Sequence, residues 1–216
     1  MQAVELFCGA GGMSLGFLRA GISVIKAYDS SPEAVAVYRG NLGGHAETLD
    51  LNMLSGYGPT VAAMAPDLVF GGPPCQDFSS AGDRRERSNA HLTRVFAMVV
   101  SVARPQWFVM ENVAHAARSE AFRRSREMLA KAGYGLTQVI LDAANYGVPQ
   151  NRHRLFLIGR LEEEHGFLEA ALVEAAAPRP MSLRDEFGDD IPPFVYFHPR
   201  YPGTRSGGHP SSCLRS

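Results

Sequence analysis

The stretch from Val4 to Glu33 constrains the fold more than any other part of this chain. Val4-Glu5-Leu6-Phe7 is a short, largely apolar run that meets a glycine cluster, Cys8-Gly9-Ala10-Gly11-Gly12. Met13 to Ala20 has helical patterning that Gly21 ends, and Ile22-Ser23-Val24-Ile25-Lys26-Ala27-Tyr28 reads as a second strand closing on Asp29. Ser31-Pro32-Glu33 opens another helix, with proline in the first turn, where a missing N–H does no harm. Two strands joined by a helical crossover lie parallel in one sheet. The expectation is an α/β fold built on a doubly wound, mostly parallel, Rossmann-like sheet.

The same alternation continues downstream. Asp67-Leu68-Val69-Phe70 is a core strand halted by Gly71-Gly72-Pro73-Pro74, and residues 91–103 have helical spacing. Trp107-Phe108-Val109-Met110 is a strand closing on Glu111-Asn112-Val113, and a helix near 119–132 ends at Gly133. Val139-Ile140-Leu141 and Leu155 to Gly159 complete the strands. Beyond Arg160 the character changes: residues 161–177 are rich in Glu and Ala and read as helical or mobile, and 178–193 are rich in Pro and Asp. In 199–216, ten of 18 residues are Gly, Pro or Ser, so the tail is expected to be disordered or dependent on a partner. The reading is a domain over 1–160 followed by a connector over 161–216.

Charge bears on the partner. Lys+Arg is 21 and Asp+Glu is 22, which excludes a highly basic nucleic-acid coat. Nine acids and two arginines fall in residues 161–190, a net of −7, so the remainder of the chain carries +6. This is weak support for a polyanionic partner. No run approaches the roughly 20 apolar residues of a membrane span. Three cysteines and a strand pattern that starts at once fit a reducing cytoplasm, without a signal peptide.

Several strands end in glycine-rich or polar clusters, and in such sheets ligands sit beyond the carboxyl ends of the strands. The Cys8–Gly12 loop lets a backbone approach a ligand, although its glycines depart from the dinucleotide fingerprint at Ser14. Asp29 stands where an acid would bind ribose hydroxyls, so a nucleoside without pyrophosphate suffices. A glycine turn required only for packing is the competing reading. Cys75, after Pro73 and Pro74, sits on a stiff backbone that suits a nucleophile, yet most cysteines are structural. Glu111 at a strand end beside an apolar run is placed to act as an acid with a raised pKa, or merely to cap a helix. Arg152 and Arg154 alternate at strand spacing, so both point to one face, where they can grip a phosphate or orient a carbonyl, or simply meet solvent.

Taken in order, Phe-x-Gly-x-Gly-Gly, an acidic strand end, Pro-Pro-Cys-Gln-x-Phe-Ser, Glu-Asn-Val and Gln-x-Arg-x-Arg over residues 3–160 closely resemble the DNA (cytosine-5) methyltransferase family. The resemblance implies S-adenosylmethionine as methyl donor. It places Phe7, Cys8, Gly9, Ala10, Gly11 and Gly12 around that cofactor, with Asp29 on the ribose. Asp50 would accept from the adenine amino group, and Ser30, Leu51 and Pro73 belong to the same pocket. Ser30 stands where the family often has a larger side chain. It further implies Cys75 as the nucleophile that attacks cytosine C6, Glu111 as the group that protonates N3, and Arg154, supported by Arg152, on the base carbonyl. Pro74, Gln76, Ser79, Asn112 and Val113 would touch the substrate, a cytosine flipped from double-stranded DNA. Asp67 and Glu111 are expected to favour the cationic donor, and Arg84, Arg85 and Arg87 either to meet phosphates or to form a solvated charged loop. No metal and no membrane are implied.

Family members normally continue into a target-recognition region and a closing segment. Phe197-His198-Pro199-Arg200-Tyr201 resembles the approach to that region. The expectation is therefore a catalytic unit that is one subunit of a split enzyme completed by a second polypeptide, the product of a truncated or frameshifted gene, or the catalytic half of a longer protein, with weak or no activity when isolated, working in the cytoplasm of a bacterium or on phage DNA in restriction-modification. An RNA (tRNA) cytosine-5 methyltransferase and a non-catalytic fragment are the alternatives. A NAD-dependent oxidoreductase ranks below both, because the cysteine–glutamate pair has no hydride logic.

Overall fold

The computed structural model describes residues 1–51, 57–74 and 86–188. Cys75, Gln76, Ser79, Arg84, Arg85, the side chain of Arg87, the 197–201 motif and Cys213 in the tail lie outside the described residues.

The chain alternates as its pattern requires. Strand β1 (Gln2–Leu6) feeds helix α1 (Gly12–Arg19), then β2 (Ser23–Asp29) and α2 (Pro32–Leu42). Strand β3 (Ala46–Thr48), helix α3 (Tyr57–Ala63), β4 (Leu68–Gly71), α4 (Glu86–Ala103) and β5 (Trp107–Val113) follow. A 3-10 turn (Ala114–Arg118) leads to α5 (Glu120–Lys131), β6 (Tyr134–Asp142), a second 3-10 turn (Ala143–Tyr146) and β7 (His153–Leu161). Two short helices, α6 (Glu169–Glu174) and α7 (Leu183–Phe187), close the described chain. Helix starts are chemically marked: Ser31 Oγ accepts from the Ala34 amide at 3.1 Å, with Pro32 as first helical residue, and Ser119 Oγ accepts from the Phe122 amide at 3.2 Å.

The seven strands form one sheet in the order β3-β2-β1-β4-β5-β7-β6. All neighbours are parallel except at β7, which runs antiparallel to both β5 and β6. The sheet is doubly wound and mostly parallel, as expected. One face carries the main core, where Phe96, Val99 and Val100 of α4 and Leu129 of α5 pack on Val4, Val69, Phe108 and Met110. On the other face Phe17 of α1 packs on Phe70, with ring centroids 4.2 Å apart, and Tyr38 of α2 lies over Cys8 and Ala27.

Residues after Arg160 return to the same sheet. The Leu136 amide donates to His165 Nδ1 at 3.0 Å, the Phe167 ring lies 5.7 Å from Trp107, and the amides of Ala177 and Met181 reach the carbonyls of Asn145 and Ala144. Within the Glu/Ala-rich stretch only Glu169–Glu174 is α-helical. No helix among the described residues is long and apolar enough to cross a membrane.

Candidate active site

Register brings the sequence-distant clusters together. Leu6 pairs with Gly71 and Gly71 with Met110, so the chain leaves β1 and β4 at one level, and β5 runs three residues further toward the same end, to Val113. The antiparallel β7 contributes its beginning to that end, because Arg154 pairs with Val113. Glu111 lies opposite Phe156, and Arg154, two residues before Phe156, is its diagonal neighbour on the same face.

Two adjoining cavities open there, both walled by Phe7 and Gly72. The smaller, about 240 Å³, adds Asp29, Ser30, Asp50, Leu51, Pro74 and Leu92. Its described lining offers two carboxylates against apolar surface and no basic side chain. That donor set suits a nucleoside carrying hydroxyls and an amino group, and disfavours a phosphate. Asp29 is held rigidly: Oδ2 accepts from the Gly9 amide at 2.8 Å and Oδ1 from the Ser31 amide at 2.9 Å. These bonds tie the glycine loop to the end of β2.

The larger cavity, about 910 Å³, is lined by Glu5, Cys8, Gly9, Gly12 and Met13 on one side. Glu111, Tyr146, Gln150, Arg152, Arg154 and Phe156 line the other. Arg154 Nε stands 3.0 Å from Glu111 Oε1, both half-buried. Burial raises the Glu111 pKa above the usual carboxylate value, while the charges of Arg154 and Arg152 pull it back. The site thus holds a carboxyl poised to carry a proton beside a guanidinium that can face a carbonyl. Gly72 fits against it closely, since a Cβ there would come within 2.9 Å of Glu111 Oε2.

The remaining expected residues divide by what they touch. Asn112 is buried; its Nδ2 donates to the Pro73 carbonyl at 3.1 Å and its Oδ1 accepts from the Val113 amide at 2.8 Å. Asn112 and Pro73 therefore form the support of the segment leading to Cys75, and Pro74 faces the nucleoside cavity. Gly11 faces α2, where a Cβ would meet Leu42 Cδ1 at 2.6 Å, and Ala10 is exposed. Cys8 is buried among Ala27, Val35 and Tyr38. Asp67 departs from expectation: it precedes β4 at the amino end of the sheet, is exposed, and accepts from the Gln2 amide at 2.7 Å. It lies at the opposite end of the strand from the cavities and contributes nothing to them.

Sequence reasoning missed Glu5, Met13, Tyr146 and Phe156 as lining residues. Glu5 left a signal, an acid inside an otherwise apolar strand. Met13 and Phe156 read as ordinary helix and strand residues, and nothing in the sequence marks Tyr146. No cluster of metal-ligating side chains occurs among the described residues.

Fold and site together define a doubly wound, nucleoside-binding protein with an acid–guanidinium pocket at its strand ends. Residues 1–189 match the C-5 cytosine-specific DNA methylase family, and the chain belongs to it. S-adenosylmethionine is the methyl donor of that family. The chain is 42% identical over 202 residues to the Type II methyltransferase M.HindV of Haemophilus influenzae, covering 93% of this chain and 66% of that protein. It is 40% identical to M.HgiDI of Herpetosiphon aurantiacus, with 93% and 65% covered. It therefore spans slightly less than two thirds of each of these relatives. Among solved structures, a candidate DNA modification methyltransferase encoded within an Escherichia coli prophage superposes with a TM-score of 0.70 at 26% identity, covering 90% of this chain and 56% of that one.

Proposed function

We propose that this chain is the catalytic unit of a DNA (cytosine-5) methyltransferase of the restriction-modification type. The observation that carries the reading is the Glu111–Arg154 pair, placed in a cavity that shares Phe7 and Gly72 with the nucleoside-shaped one. S-adenosylmethionine supplies the electrophilic methyl group. Phe7, Gly9 and Gly12 would border it, Asp29 would take the ribose hydroxyls, and Asp50, with Ser30 and Leu51, the adenine.

The residues of the chain then divide the chemistry. Cytosine C5 is a poor nucleophile until a thiolate adds at C6. Cys75 supplies that thiolate, and Glu111 delivers a proton to N3 as electrons move into the ring. Arg154, with Arg152 beside it, holds the base carbonyl. Once C5 has taken the methyl group, with the demethylated donor as leaving group, it gives its proton to water, the Cys75–C6 bond breaks as the C5=C6 bond is restored, and the N3 proton returns to Glu111. The target base must first leave the duplex, at a cost of a few kcal/mol. Gln76, Ser79, Pro74 and Val113 would border the flipped base. We further infer that a separate segment or a second polypeptide reads the target sequence, in keeping with the greater length of the relatives. The setting is the bacterial cytoplasm, where chromosomal and phage DNA lie.

The test is trapping in a single turnover. Incubated with S-adenosylmethionine and a duplex containing 5-fluorocytosine, the chain should yield a denaturation-resistant protein–DNA species. No adduct, with cofactor and duplex both bound, overturns the catalytic reading; an adduct with tRNA in place of duplex DNA overturns the choice of substrate.

A Glu111→Gln chain keeps a hydrogen-bonding side chain and loses the transferable proton. Its rate of adduct formation should fall by about 10²- to 10⁴-fold, the usual range for a general acid, with cofactor affinity retained. Arg154→Met removes the larger of the two charge effects that oppose burial, and its hydrogen bond, so the Glu111 pKa rises further. Glu111 is then protonated to higher pH, and the alkaline limb of the pH–rate profile should move upward. A profile unchanged by Arg154→Met would exclude Glu111 as the acid.

A further inference from the structure

Glu5 is the one fully buried acidic side chain among the described residues. It lines the larger cavity and lies on β1, directly under the glycine loop. It is also the inner end of a chain of hydrogen bonds. Ser14 Oγ, on α1, contacts Glu5 Oε2, and Tyr38 Oη, on α2, lies 2.7 Å from Ser14 Oγ. His45 Nε2, in the loop before β3, lies 2.9 Å from Tyr38 Oη. Glu5, Ser14 and Tyr38 are buried and His45 is half-exposed.

Both intermediate groups are hydroxyls, which donate and accept at once, and both ends are titratable. Such a chain has two complete arrangements. With Glu5 neutral, each hydrogen points outward and His45 Nε2 accepts. With Glu5 ionised, each points inward and Nε2 carries the hydrogen. A merely structural network would need only one of these.

We infer that Glu5, Ser14, Tyr38 and His45 form a proton relay from the cofactor cavity to the protein surface, by which a cationic ligand entering the cavity drives the Glu5 proton out. The cationic-ligand clause rests on the cofactor reading proposed above; the relay itself rests on the hydrogen-bond chain alone. The transfer balances. The Glu5 O–H bond breaks and Ser14 gains that proton. Ser14 gives its own to Tyr38, Tyr38 gives its own to Nε2, and His45 releases its Nδ1 proton to water. Both hydroxyls end as they began.

Burial outweighs the mixed charges around the inner end of this hydrogen-bond chain. Burial pushes the Glu5 pKa up to about 8, the Ser14 hydrogen bond opposes this, and Asp29 reinforces it. The Cys8 thiol, also beside it, is pushed up to about 12 and stays neutral. Glu111, Arg152 and Arg154 face Glu5 across the cavity. At the outer end, burial and then the charge of Lys26 lower the pKa of His45, so an imidazolium does not persist there; Lys26 itself pairs with Glu47. Glu5 is thus mostly protonated near pH 7 in the absence of a cation, and an incoming positive charge favours its ionisation.

The experiment needs no cofactor in its first arm. In the free 216-residue chain, nitrogen NMR of His45 and carbon NMR of the Glu5 carboxyl are followed between about pH 6.5 and 9.5, a window centred on the raised carboxyl. His45 should pass from the Nδ1–H to the Nε2–H tautomer with the same midpoint as Glu5. The passage should vanish in Glu5→Gln and, independently, in Tyr38→Phe. A Glu5 carboxyl that titrates without moving His45, or a passage that survives Tyr38→Phe, overturns the relay. In the second arm, calorimetry in buffers of different ionisation enthalpy counts protons released as S-adenosylmethionine binds near pH 7. About one per cofactor is expected, and none in Glu5→Gln. Binding without release overturns the coupling. Failure of the unmodified chain to bind the cofactor counts against the proposed function instead, and the first arm still decides the relay.

Discussion

A Cys75→Ser chain is expected to form no covalent adduct with a 5-fluorocytosine duplex, whereas a Cys8→Ser chain still forms one. The contrast rests on environment, since each cysteine follows a strand in sequence, Cys8 after β1 and Cys75 after β4, and those two strands end at the same level of the sheet. Thiolate, not thiol, is the nucleophile. Cys8 is 4% exposed, and its pKa is pushed up to about 12, first by burial and then by the negative charges of Glu5 and Asp29. Near neutral pH it has no useful thiolate. Cys75 follows Pro73 and Pro74, whose backbone is anchored by the Asn112 side chain on the neighbouring strand. Serine in its place presents a hydroxyl of far higher pKa. The adduct yield should drop by more than about 10³-fold, a modest figure beside the losses seen when a covalent nucleophile is removed. Denaturing electrophoresis followed by peptide mass spectrometry reads both variants. An adduct mapped to the peptide carrying Cys8 would reverse the assignment.

The fold is legible from residue order because its strands carry apolar-run and glycine signals, whereas the role of Cys75 rests on the family resemblance. The N-terminal β-α-β, the Phe70–Gly71 strand end and the Glu111 strand end appear where the pattern places them. Several short elements were not legible, β3 and α3 among them. Strand β3 is three residues, Ala46–Thr48, too short to show alternation, and it exists because β2 offers its edge. Helix α3, Tyr-Gly-Pro-Thr-Val-Ala-Ala, carries glycine and proline, which lower helix propensity; packing of Val61 into the main core outweighs it. At the site, spacing puts the two arginines on one face but does not name their partner. Glu111 meets Arg154 only because β7 runs antiparallel to β5, a reversal that no local pattern encodes. The same blindness misplaced Asp67. A strand's residue composition does not say which of its ends faces the ligand, and only the end following β4 does.

The largest structural effect is expected from a single methyl group at Gly71. A Cβ there would sit 1.9 Å from the carbonyl oxygen of Leu6 and 2.9 Å from its carbonyl carbon. Both obstacles are backbone, so no side chain can swing aside. Nor can the strands part. Leu6 and Gly71 are register partners, β1 is hydrogen-bonded to β2 on its other edge, and β4 to β5 on its other edge. Gly71→Ala should therefore cost more than about 4 kcal/mol, at the far end of single-substitution effects. For a chain of this size that lowers Tm by roughly 10 °C or more, or leaves no soluble folded protein. Gly16 is the matched control. It lies inside α1, where an added Cβ would meet nothing within 4 Å, and Gly16→Ala should stabilise by about 0.5–1 kcal/mol through helix propensity alone. Thermal unfolding followed by circular dichroism separates the two. Equal melting temperatures for Gly71→Ala and the unmodified chain would mean that β1 and β4 do not approach as described, and with them the shared wall that Phe7 and Gly72 give to both cavities.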